Sequence, residues 1–255
     1  MKLIINADDL GYSDIVNNTI FDLLEQRAIS SATCLANGPN IAEAAARIPS
    51  FQKASFGVHL NLTEFEALTQ PAAFKTEGVT DENNTFTGKF RQAPLTKELR
   101  HAVEEEWTAQ IASLMQRDIA ITHIDSHHHV HTIPGLFPSL KRVQKRFGIR
   151  RVRTTLDLYA PDETPISAHS RLKKRLWAHS LRWLYPTRCT HHFTSVSWFR
   201  KLQAINKHPR QGSIELMCHP CQSGEDHYQD ETDLLESDWR ESLPPGTVLI
   251  SYRDL

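Results

Sequence analysis

The run Asp118-Ile119-Ala120-Ile121-Thr122-His123-Ile124-Asp125-Ser126-His127-His128-His129-Val130-His131 places five of the chain's 14 histidines within the ten residues 122–131. Its apolar lead-in reads as a short buried strand, and Pro134 and Gly135 mark the polar loop into which it runs. The alternation with Ile124 and Val130 suits a strand edge better than a solvated tail. A terminal tag is also His-rich, but this tract is internal. Clustered imidazoles with an aspartate among them point to a metal site, a proton relay or a surface tract without chemistry. Neutral imidazole is the commonest transition-metal ligand, and a carboxylate neighbour usually orients it.

Working outward, apolar strand-like runs alternate with helical patterns. Strands are predicted at Leu3-Ile4-Ile5, 31–35, 55–62, 149–154, 190–196 and 213–220, with 247–252 a last strand or the start of a closing helix. Between them, Ser13 can cap a helix whose apolar face is Val16, Ile20, Leu23 and Leu24. A short helix runs through Ile41, Ala45 and Ile48. A long one spans 96–117, with Leu99, Val103, Trp107, Ile111 and Leu114 on one side. Further helices are predicted at 136–147, at 167–185 (apolar Leu172, Leu176, Trp177, Trp183 and Leu184) and at 230–243.

These seven or eight strand-then-helix units show no sequence repeat and no linker. They predict one α/β domain over 1–255, a parallel sheet in a (β/α) TIM-like barrel, irregular or incomplete. No Gly-x-Gly-x-x-Gly follows a strand, and no Gly-x-x-x-x-Gly-Lys occurs, so nucleotide-binding folds have no support. Residues 63–94 are irregular and rich in Thr, Asn, Gly and Pro. A loop of that length is usually functional, and this one is read as a substrate-covering insertion. A second irregular stretch passes through Pro161 and Pro165.

With 255 residues, 40% hydrophobic and 23% charged, and a net charge of -1, the composition is that of a globular protein with no nucleic-acid partner. Arg171-Leu172-Lys173-Lys174-Arg175 is a local basic patch, read as a solvated helix face. Cys34, Cys189, Cys218 and Cys221 are too few and scattered for a disulfide framework. Cys218-His219-Pro220-Cys221 has the form of a redox motif, but it lies late in the chain rather than after a first strand. The amino-terminal run lacks a signal-peptide pattern and no apolar run spans a membrane, so a cytoplasmic location is expected.

Titratable residues gather at predicted strand ends: Asp8 and Asp9, His59, Asp125 and His127, Arg151 and Arg153, Glu215 and His219. In a barrel the carboxyl-terminal strand ends share the face where active sites are built. A carboxylate of the Asp pair, with His59 and His127, makes three ligands and leaves a position open, the pattern of a catalytic metal site. Neighbouring side chains on an extended segment point apart, so the other aspartate is better placed as a general base. Taken singly, Asp8-Asp9 could be a helix-capping pair and His59 a satisfied core histidine.

Asn6-Ala7-Asp8-Asp9-Leu10-Gly11, Gly57-Val58-His59-Leu60-Asn61-Leu62-Thr63, the run 122–131, Glu215-Leu216-Met217-Cys218-His219-Pro220 and the closing Leu249-Ile250-Ser251-Tyr252-Arg253-Asp254-Leu255 resemble the YdjC-like carbohydrate deacetylases. The resemblance implies a (β/α) barrel with a divalent metal, Mg2+ or Zn2+, held by Asp9, His59 and His127. It implies hydrolysis of the N-acetyl group of an amino sugar or oligosaccharide, with the metal activating the attacking water. Asp8 then matches the catalytic base, His219 the general acid, and Arg153 a group near the substrate or base. Asp125, His129 and His131 are candidates for outer groups that fix ligand tautomers. The family commonly has glycine after His-Pro where this chain has Cys221, which bears on the loop beside His219. Another metal-dependent hydrolase, such as a phosphatase or phosphodiesterase, and a non-catalytic metal- or sugar-binding module are the alternatives. Trp198 and Phe199 are candidates to stack on sugar rings or to pack a homodimer.

Overall fold

The computed structural model of the chain describes residues 1–160, 162, 166–221 and 226–255, and the side chains of all of these but 226–228. Six strands form a parallel sheet in the order β4 (Ile121–Ser126), β3 (Ser55–Leu60), β2 (Ser31–Cys34), β1 (Lys2–Leu10), β6 (Ser213–Cys218), β5 (His192–Ser195). The two-residue β7 (Val248–Leu249) pairs with Lys2 and Leu3, below the stretch of β1 that β2 reaches. In β1, Leu3, Ile4, Ile5, Ala7 and Leu10 are all buried, the near-continuous apolar run of a strand covered on both faces.

Helices follow the strands. They are α1 (Asp14–Glu25), α2 (Ile41–Arg47), α4 (Lys97–Met115), α5 (Phe137–Phe147), α6 (Ala168–Trp183), α7 (Val196–Ala204) and α8 (Asp226–Glu236). Hydroxyl caps set several of their starts. The side chains of Ser13, Thr96, Ser167 and Ser195 accept from the backbone N–H of Val16, Leu99, Ser170 and Trp198. In α4, Leu99, Val103, Trp107, Ile111 and Leu114 are buried at helical spacing, and the helix packs on β3, β4 and α5.

The sheet is that of an incomplete TIM-like barrel. Residues 149–154, expected as a strand, do not form one; they make isolated parallel bridges instead. Arg151 C=O accepts from Ile124 N–H of β4, and Ile124 C=O from Arg153 N–H. Farther along, Leu158 N–H donates to Phe193 C=O of β5, and Phe193 N–H to Leu156 C=O. One irregular segment thus hydrogen-bonds to both edge strands, trading regular register for reach.

Other expectations change too. Residues 63–94 are ordered rather than structureless: α3 (Ala72–Thr76) and the antiparallel bridges Glu66–Thr85 and Thr80–Phe86 enclose a small core of Phe74, Val79, Phe86 and Phe90. The helix predicted at 230–243 is α8 followed by a separate 3-10 turn, Asp238–Ser242. Pro161 and Pro165 lie outside the described residues. Phe199 is fully buried against His208 and Trp239, so it has no outward face for a sugar or a second subunit. In α6 the buried residues are Trp177, Ala178 and Leu181, whereas Leu172, Leu176, Trp183 and Leu184 are exposed. Among the described residues no helix is long and apolar enough to cross a membrane.

Candidate active site

The carboxyl ends of β1, β3, β4 and β6 bring the polar residues together. β1 does so through a local irregularity. Its pairing with β2 shifts register between Ala7 and Leu10, and Asp9 has a left-handed backbone, φ 68°. On a regular strand Asp8 and Asp9 would face opposite sides. Here both face one imidazole: His59 Nε2 is 3.3 Å from Asp9 Oδ1 and 4.0 Å from Asp8 Oδ2. The chain then turns at Gly11, φ 101°, whose N–H donates to Asn17 Oδ1 at 2.7 Å.

Asp9, His59 and His127 offer ligand atoms within 4.8 Å of one another. His127 Nδ1 is 2.9 Å from Asp9 Oδ1. His59 Nδ1 is 2.7 Å from Asp125 Oδ1, and Thr33 Oγ1 donates to Asp125 Oδ2 at 3.0 Å. This carboxylate–imidazole pair leaves His59 Nε2 directed at the aspartates, as in a metal-ligating histidine. One carboxylate and two imidazoles at this spacing fit a divalent cation. The surrounding charge favours one as well, since Asp8, Asp9, Glu64 and Asp125 contact its histidines; among the described residues the guanidinium of Arg153 is bound between Asp8, Asp125 and Glu215.

The histidines register that field. Burial pushes both down, but Asp125 and Asp8 raise His59 to about 10. Hydrogen bonds and charge from Asp9 and Glu64 raise His127 to about 9. A cation at these nitrogens, proton or metal, is stabilised by the carboxylates around it.

Arg153 organises the other half of the site. Its Nη1 and Nη2 donate to the two oxygens of Asp8 at 2.8 and 2.6 Å, and its Nε to Glu215 Oε1 at 2.8 Å. Nη2 also lies 2.9 Å from Asp125 Oδ2. Burial raises Asp8, but the guanidinium outweighs it and holds the carboxyl well below the usual range. Asn6 Nδ2 adds a bond to Asp8 Oδ1 at 2.9 Å. Glu215 accepts from the Tyr252 hydroxyl, and burial pushes Glu215 up to about 7 despite Arg153. The Tyr252 ring stacks on His123, centroids 3.7 Å apart, and His123 lies under Gly57, where a Cβ would come within 2.6 Å of the imidazole. The chain's carboxyl-terminal segment therefore braces the site from beneath.

His219, just past β6, has Nε2 3.9 Å from Asp8 Oδ2, and its backbone N–H donates to Glu231 Oε2 at 2.8 Å. A cleft of about 410 Å³ opens over the cluster, lined by Asp8, Asp9, Tyr12, Glu64, His127 and His219 among others. That size suits a small polar ligand.

Two of the expected outer groups sit elsewhere. Asp125 contacts His59, but His131 Nδ1 is bonded to the Ser126 hydroxyl and the ring packs on Trp177, while His129 packs on Phe193. His128 and His129 both have left-handed backbone, φ 49° and 53°, which turns successive histidines in different directions. Arg151 points away, donating to Arg253 C=O at 2.8 Å. Cys218 and Cys221 are buried thiols. Burial pushes Cys218 well up, the opposite of an activated thiolate, so the redox reading finds no support. Cys221 N–H donates to Thr232 Oγ1 at 3.0 Å, tying the loop after His219 to α8.

Asn6, Glu64, Glu231 and Tyr252 join the site without having been assigned a role in it from the sequence. Asn6 could have been found, since residues two apart on a strand share a face with Asp8. Glu231 reaches His219 from a separate helix, and no local pattern marks it.

The family model described as YdjC-like protein matches residues 2–243, and the chain belongs to that family. It is 30% identical over 222 residues to a carbohydrate deacetylase of Halalkalibacterium halodurans, covering 86% of this chain and 85% of that protein. It is 27% identical over 225 residues to a chitooligosaccharide deacetylase of Escherichia fergusonii, covering 86% and 81%. A crystal structure from Enterococcus faecalis V583, described as a cellobiose-phosphate cleavage protein, superposes with a TM-score of 0.75 at 24% identity, covering 99% and 98% of the two chains, and shares the fold.

Proposed function

We propose that this protein removes the N-acetyl group of an amino sugar, in a chitooligosaccharide or another N-acetylglucosamine conjugate, and releases acetate. Asp9, His59 and His127 would hold a divalent cation, Mg2+ or Zn2+. The observation that carries the reading is the division of labour between adjacent aspartates. Asp9 meets the two histidines, while Asp8, beside it, is held by Arg153 and faces the same space. The names of the relatives support the choice of bond and of substrate class.

A bound divalent cation would supply Lewis acidity, polarising the amide carbonyl and acidifying water. Asp8, kept ionised by Arg153, accepts the water's proton as its oxygen attacks the carbonyl carbon. A carboxylate held so low is a weak base, which is why it needs an acidified water. His219 Nε2 delivers a proton to the amide nitrogen as the C–N bond breaks, because an amine leaves poorly until protonated. Asp125 orients His59, and Glu231 orients His219 through its backbone. The segment 63–94 acts as a cover, bringing Glu64 to the cleft and Arg91 to His128 C=O at 2.6 Å. Arg153 is committed to three carboxylates, which argues against its serving a phosphate as in a phosphatase. An Asp8 poised beside the ligand cluster argues against a purely binding role.

The test is acetate release from N-acetylglucosamine oligomers, with and without chelator and with divalent metals restored. Release that chelator abolishes and metal restores is expected. No release from any oligomer by protein with metal bound would move the substrate class elsewhere.

A further inference from the structure

α6 wears its apolar residues on the wrong side for a helix that only packs inward. Trp177, Ala178 and Leu181 face the body of the protein. Leu172, Leu176 and Trp183 are 56%, 58% and 86% exposed, with Leu184 beyond them at 71%. At about 100° per residue, positions 172, 176 and 183 fall within about 40° of one another, so they form one outward stripe. Exposed Arg171, Lys173 and Arg175 flank it, and no Asp or Glu occurs between 168 and 183. Exposed His179 lies on the same face and His169 and Ser180 at its edge. An aliphatic stripe ending in an exposed tryptophan, flanked by cations and free of acidic residues within the helix, is the chemistry of a helix lying in a lipid interface.

We propose that the outer face of α6 docks the protein reversibly on an anionic membrane surface. Leucines and Trp183 would enter the headgroup boundary while Arg171, Lys173 and Arg175 meet lipid phosphates. Charge selects this occupant. A second copy using the same face across a twofold axis would set the same cations against one another, whereas anionic lipid neutralises them. The binding needs no sugar and no metal, so its failure would leave the deacetylase reading untouched.

The experiment is cosedimentation of the whole protein with vesicles of phosphatidylcholine containing phosphatidylglycerol, against phosphatidylcholine alone. Binding to the anionic vesicles, weakened by salt, is expected, with tryptophan emission shifting to the blue. Arg171→Gln/Lys173→Gln/Arg175→Gln should bind on the order of a hundredfold more weakly. Trp183→Ser should bind on the order of tenfold more weakly and lose the emission shift. All four residues are exposed, so circular dichroism and melting of these variants should match the parent. No binding to anionic vesicles, or undiminished binding by both variants, would overturn the proposal. So would a dimer in solution that Trp183→Ser dissociates.

Discussion

Arg153 grips Asp8 by both terminal nitrogens, Nη1 on Oδ2 at 2.8 Å and Nη2 on Oδ1 at 2.6 Å, with the whole pair buried. The fork fixes the plane of the Asp8 carboxylate, which a point charge cannot do. Arg153→Lys is therefore expected to lower kcat on the order of a hundredfold, by letting Asp8 drift from the attacking water. Arg153→Met removes the cation shared by Asp8, Asp125 and Glu215, and should cost about 3–5 kcal/mol in urea unfolding. Full activity in Arg153→Lys would mean that Asp8 is not the base.

At the proposed metal site a divalent cation and protons would compete for the same imidazoles. Burial lowers both imidazoles, but the carboxylates of Asp125 and Asp8 push His59 up to about 10 and those of Asp9 and Glu64 push His127 up to about 9. Cation binding must displace those protons, so affinity is expected to rise with pH across the neutral range and protons to be released. Calorimetry in two buffers of different ionisation heat counts them; an affinity independent of pH would remove these histidines from the ligand set. Asp125→Asn takes the anion from His59 Nδ1 and should weaken metal binding roughly 10- to 100-fold.

Glu215 gives a pH signature in stability. Burial raises it from 4.5 to about 7, so the folded protein holds this proton more tightly than the unfolded chain does. The resulting stabilisation is complete below 4.5 and is lost as pH rises through about 7. Glu215→Gln cannot ionise, and its melting temperature should vary less over that window than the parent's. Parallel melting curves for the two proteins would show that Glu215 does not titrate there.

Gly57 makes room for the brace beneath the site. A Cβ would meet His123 at 2.6 Å, and His123 is stacked on Tyr252 with no slack to retreat. Gly57→Ala is expected to destabilise the fold by about 1–3 kcal/mol, measured by thermal melting. An unchanged melting temperature would mean that the carboxyl-terminal segment yields.

How far these features were legible depended on whether the cause was local. Asp8, Asp9, His59, Asp125 and His127 stood out because each is a titratable group at the end of an apolar strand run, and strand ends converge whatever the exact topology. The left-handed turn at Asp9 was not legible: an aspartate tolerates that backbone but does not announce it, so the pair was expected to point apart. Histidines 128, 129 and 131 share their neighbour's composition, yet two left-handed residues send them elsewhere. In α6 the periodicity was visible, but two apolar stripes compete, and only the packing of Trp177 and Leu181 decides which faces inward. Residues 149–154 alternate like a strand, but they must reach from β4 towards β5, and that span breaks the ladder. Glu231 and Tyr252 act across large separations in sequence, where no spacing rule applies.

The proposed mechanism separates two roles, Asp9 with the histidines for the metal and Asp8 for the proton. The most direct measurement takes Asp8→Asn and records bound divalent metal and acetate release from N-acetylglucosamine oligomers on the same sample. Metal is expected to be retained while acetate release falls by about 10²–10⁴-fold, the usual worth of a general base. Loss of the metal together with activity would make Asp8 a ligand, and retained activity would remove it from the chemistry; either result contradicts the mechanism.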